Sequence, residues 1–120
     1  MPNGKICYVE IPATDVEASA NFYARVFDWQ IRTRGDGARA FDDSTGSVSG
    51  SWVLDRKSST EPGILIYVMV DSIEATLAKV AGAGGSVIAP KTAISSGGEA
   101  YATIMDPGAN VIGVYEEPAR

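Results

Sequence analysis

Histidine is absent from the 120 residues. Without an imidazole there is no Ser-His-Asp or Cys-His relay, and the commonest side-chain ligand for Zn, Ni, Fe or Mn is missing. Cysteine is nearly absent. Cys7 alone cannot close an internal disulfide, so a cytoplasmic location is the expectation. Long apolar runs are also lacking, and the longest, Ile64 to Val70, is far too short to cross a bilayer. "MPNGKICYVEI" has neither an apolar h-region nor a small-residue cleavage site, so no secretory signal is read. Charge is not clustered. The net charge is −5 and the ten Lys and Arg are scattered, which speaks against a nucleic-acid or membrane partner. The acids are scattered too and form no interaction tail.

What is present is one pattern written twice. Residues Ile6 to Ile11 are rich in β-formers, and Thr14-x-x-Glu17 has the form of a capping box. Val16, Ala20, Tyr23 and Phe27 then recur at helical spacing. Strands are expected around Gln30–Arg34, Ala38–Phe41 and Ser47–Leu54, separated by the turns "RGDG" and "DDSTG". After a polar linker, residues 55–63, the order restarts. It runs through a strand at Ile64–Val70, a helix capped by Asp71 with Glu74 three later, and a "GAGG" stop. Strands follow near Ser86–Pro90, Tyr101–Met105 and Val111–Tyr115, with "DPGAN" as the last turn. A shift of 57 lays Val16-Glu17-Ala18-Ser19 over Ile73-Glu74-Ala75-Thr76. Residues 1–120 are therefore read as one α+β domain of two βαβββ modules, about 5–54 and 64–116. Each is too small to bury its sheet alone. "GAGGS", residues 82–86, follows a helix and precedes a strand. That order suits a helix stop and not a phosphate loop.

"VEIPATDVEASANFYARVFDW", "VDSIEATLAKVAGAGGSVI" and "DPGANVIGVYE" resemble the vicinal oxygen chelate superfamily, the glyoxalase, bleomycin-resistance and extradiol-dioxygenase group. The likeness covers nearly the whole chain and is nearest to its small lactoylglutathione-lyase-related members. It implies that the two sheets curl into a cup that holds the ligand, and that chains of this size pair as homodimers. The superfamily's enzymes place a divalent metal in the cup, with one ligand from the first and one from the last strand of each module. Carried over, those positions fall on Tyr8, Gly50, Leu65 and Gly113. A neutral phenol is a poor ligand, and Leu and Gly offer no side-chain donor. No metal and no other cofactor is therefore expected.

Strand alternation gives the rest of the lining. If Tyr8 points into the cup, so does Glu10; with Leu65 go Tyr67 and Met69; Gly113 shares a side with Tyr115, and Gly50 with Trp52. Cys7, next to Tyr8, should face the other way and pack beneath the helices. Glu10 is the one candidate catalytic group. An inward acid needs a partner, either Tyr67 across the repeat or an arginine. Three functions remain open: binding a small, partly aromatic molecule; a metal-independent isomerase, lyase or hydrolase using Glu10 and tyrosine hydroxyls; or a structural subunit with a filled cup.

Overall fold

The computed structural model describes residues 3–118. Two four-stranded sheets and two helices alternate as β1 (Tyr8–Pro12), α1 (Val16–Phe27), β2 (Gln30–Thr33), β3 (Arg39–Asp42), β4 (Ser49–Val53), β5 (Tyr67–Met69), α2 (Ile73–Val80), β6 (Ser86–Ala93), β7 (Ala100–Met105) and β8 (Val111–Glu116). The sheet orders are β1-β4-β3-β2 and β5-β8-β7-β6. In each, the first strand pairs in parallel with the last, and the other neighbours are antiparallel. The topology is thus one βαβββ plan used twice.

Both helices are capped one residue later than the sequence suggests. Asp15, not Thr14, accepts from the Ala18 N–H, and Ser72, not Asp71, accepts from the Ala75 N–H. Each is extended and has a short side-chain oxygen, which is all the cap requires. Gly84, at φ +98°, ends the short 3₁₀ turn after α2. The buried faces of α1 and α2 lie against one side of each sheet, and the two helices pack on each other. Phe22 reaches from α1 into the second module, where its ring lies against Gly85. Tyr23 does the same with its hydroxyl, donating to Asp106 at 2.7 Å.

β5 is shorter than expected. The Gly113 N–H bonds Ile66, but the Val111 N–H bonds Ser59, so the chain from 60 to 65 leaves the ladder and bows out. Leu65 therefore lies outside the strand, half-buried. Cys7 precedes β1 and is exposed, so it does not pack beneath the helices.

Candidate functional site

The sheet side away from the helices carries the candidate site, and alternation decides which residues reach it. On β1, Val9 and Ile11 turn toward the helices while Tyr8 and Glu10 turn away. On β5 and β8, Tyr67 and Met69 turn away, opposite Gly113 and Tyr115. The Tyr67 ring lies directly over Gly113, where a Cβ would come within 2.5 Å of it.

Gly50 and Trp52 do not join them. Gly50 pairs with Val9 and Trp52 with Ile11, so both face the helices. A Cβ on Gly50 would sit 2.3 Å from the Phe41 ring, and Trp52 is buried beside Tyr23 and Phe41. The cause is one extra residue. The second module's turn closes from the Asp106 N–H to the Asn110 carbonyl, whereas the first closes from Asp43 to Val48. Counting forward from the aspartate therefore lands one residue short, and one residue reverses the face. The counterpart of Gly113 is Ser51, which stands opposite Glu10 as Gly113 stands opposite Tyr67.

The two outward faces differ in chemistry. The first is polar. Arg34 donates to the Tyr8 hydroxyl at 3.2 Å, Arg56 pairs with Glu10 at 2.5 Å, and Arg32 pairs with Asp42 at 3.0 Å. Glu10 therefore has an arginine partner, not Tyr67. Arg34 also hydrogen-bonds Asp36, and those bonds hold the Asp36 carboxyl down to about 2. The second face is aromatic. Tyr67, Met69, Ile94, Tyr101 and Tyr115 surround one shallow depression, and Tyr67 meets Tyr101 edge-on at 6.5 Å. Tyr67 is 49% and Met69 58% exposed, high for side chains of this type. Tyr101 was not among the expected residues. The β7–β8 register places it opposite Tyr115, and the "DPGAN" turn between those strands was the signal that could have found it.

Residues 5–114 match the family model of the Glyoxalase/Bleomycin resistance protein/Dioxygenase superfamily. The chain belongs to this superfamily. A "Glyoxylase-like domain-containing protein" of Didymella fabae is 26% identical, covering 98% of both sequences. Among solved structures, a glyoxalase/bleomycin resistance protein/dioxygenase family enzyme from Burkholderia phytofirmans PsJN superposes with a TM-score of 0.75 at 21% identity, covering 92% of this chain and 97% of that one. TnmS3, described as an antibiotic binding protein from Streptomyces sp. CB03234, gives a TM-score of 0.70 at 21% identity, covering 98% and 99%.

A metal is implied for the superfamily's enzymes, and the residues can be tested for it. With the extra turn residue counted, the four positions are Tyr8, Ser51, Leu65 and Gly113. They supply one phenol, one alcohol and no carboxylate or imidazole, and so do not fit a divalent cation. No three Asp, Glu or Cys side chains converge on a common point among the described residues.

Proposed function

We propose that this glyoxalase-like protein binds a small, partly aromatic organic molecule on the concave faces, without a metal, as a homodimer. The aromatic depression of Tyr67, Tyr101 and Tyr115 carries the reading. Exposed ring faces over a glycine floor suit stacking by a planar group. The arginines of the polar face would meet the ligand's acceptor atoms. The antibiotic binding named for the fold neighbour TnmS3 supports the same class of ligand. Binding is preferred to acid–base catalysis because Glu10 is held in an ion pair with Arg56. It is preferred to a structural role because the aromatic face is exposed rather than filled. Dimerisation would cover the open edges of the two sheets.

Native mass spectrometry of gently purified protein should show a dimer that retains a compound of small mass. Tyr115→Ala should release that compound while the melting temperature stays near the wild-type value. A protein that carries nothing, and binds no member of a panel of planar compounds, would overturn the reading.

A further inference from the structure

The pseudo-twofold between the modules relates two ends of one seam, lined from both sides by residues of the edge strands β1 and β5. At one end the seam is shut. Asn110 donates its Nδ2 to the Pro12 carbonyl at 2.7 Å and to Asp106, and Tyr23 donates to the same carboxylate. All three polar side chains are buried.

At the other end the counterparts cannot repeat this. The repeat puts Val80 in place of Tyr23, Asp43 in place of Asp106, Val48 in place of Asn110 and Met69 in place of Pro12. Neither valine side chain has a donor to offer. A crevice of about 210 Å³ remains, lined by Val9, Trp29, Val48 and Val68, with Asp43 in its wall; Tyr67 and Met69 line it too and are shared with the aromatic depression. Trp29 is held firmly there, stacked between Tyr23 at 4.6 Å and Phe41 at 4.4 Å.

Asp43 is the one charged residue in this lining. Its Oδ1 accepts from the Thr45 hydroxyl and from the Ser47 and Val48 N–H groups. Its Oδ2 has no partner among the described residues, and no cation pairs with it there. Burial would raise the Asp43 carboxyl, but those hydrogen bonds outweigh it and hold the group below the usual carboxylate range. It is anionic at neutral pH.

We propose that the seam crevice, which adjoins the aromatic depression through Tyr67 and Met69 but not through Tyr101 or Tyr115, is a second binding site for a single-ring aromatic cation. The ring enters between Val9, Val68 and Trp29, and the ammonium rests on the free oxygen of Asp43. The size fits, since an apolar cavity of about 150 Å³ accepts benzene, and the remainder leaves space for a short linking chain. The charge fits because a partly buried, unpaired carboxylate favours a cation over a neutral or anionic analogue.

The chain has two tryptophans, so Trp52→Phe leaves Trp29 as the sole tryptophan, excited selectively over the tyrosines at the red edge of absorption. Titration of this protein with 2-phenylethylamine should perturb the emission saturably. 3-Phenylpropionate, with a carboxylate in place of the ammonium, should bind at least about tenfold more weakly. Asp43→Asn keeps the acceptor oxygen of the turn and should narrow that gap to about twofold. Val48→Phe, which fills the mouth, should abolish both responses even if Asp43→Asn fails to fold. Tyr115→Ala, which lies outside the crevice, should leave the amine affinity unchanged, so failure here and failure on the concave face are separable. Equal binding of amine and acid would overturn the proposal. So would loss of amine binding in Tyr115→Ala rather than in Val48→Phe, or no saturable response up to about 10 mM.

Discussion

Tyr23→Phe removes one oxygen atom from the closed end of the seam and isolates what it contributes. The ring stays in contact with Trp29, Phe27 and Trp52, so no cavity opens. The variant loses a buried 2.7 Å hydrogen bond to a carboxylate. Asp106 keeps the Gly108 and Asn110 N–H groups and the Asn110 amide, so it is not stranded. The cost should be that of one hydrogen bond to a charged group, about 1.5–3 kcal/mol. For a chain of this length that lowers the melting temperature by roughly 5–12 °C. The effect should depend on pH in one direction. Burial first, and the Asp106 charge second, push the Tyr23 hydroxyl well above its ordinary range. Unfolded tyrosine ionises near pH 10 whereas the folded group does not, so wild type loses this stability as pH rises past about 10. The other four tyrosines remain in both proteins and largely cancel in the difference. Urea unfolding of the pair at pH 7 and pH 11 should show the gap shrinking by roughly 1.4 kcal/mol. A gap under about 0.5 kcal/mol at pH 7, or one that widens at pH 11, would refute the reasoning.

The two sheet glycines should behave oppositely. Gly50→Ala places a Cβ 2.1 Å from the Val9 carbonyl and should unfold much of the protein by circular dichroism, while Gly113→Ala meets only the movable Tyr67 ring and should stay folded. Tyr8→Ala should leave the fold intact, because a side chain 44% exposed leaves no closed cavity. A loss of ligand affinity of roughly 1–3 kcal/mol by calorimetry would place Tyr8 at the site. Treatment with EDTA should leave both the melting temperature and any ligand binding unchanged, and a drop in either would contradict the reading of Tyr8, Ser51, Leu65 and Gly113.

Elements with strong local signals were legible in the sequence. The helical spacing of Val16, Ala20, Tyr23 and Phe27 and the "DPGAN" turn located α1 and the β7–β8 hairpin closely, and the repeat supplied the two-module order. What escaped depended on single residues or on distant partners. One added residue in the β3–β4 turn turned Gly50 and Trp52 to the other side, and no propensity reveals such an insertion. Leu65 fell outside its strand because Ser59, six residues earlier in the chain, takes the Val111 N–H. Glu10 took Arg56 from the linker, a choice made by the tertiary path rather than by the repeat. Trp29, just past the end of α1, lines the seam crevice half-buried between Tyr23 and Phe41, a position that no local pattern marks.

The segment between the modules has the composition of a tether but is sewn down. Ser58 donates to Gly108, the Ser59 N–H to Asn110 and Thr60 to Ala109, while the Ser59 carbonyl receives the Val111 N–H. Every one of these partners belongs to the β7–β8 hairpin. The amide of Ser59 should thus exchange with deuterium on the slow timescale of that hairpin, although it lies in irregular backbone. The stitched segment would travel with the second module. Two copies could therefore trade modules only by hinging before Ser58 and breaking the Tyr23–Asp106 and Asn110–Pro12 bonds between the modules. That requires partial unfolding and not simple mixing.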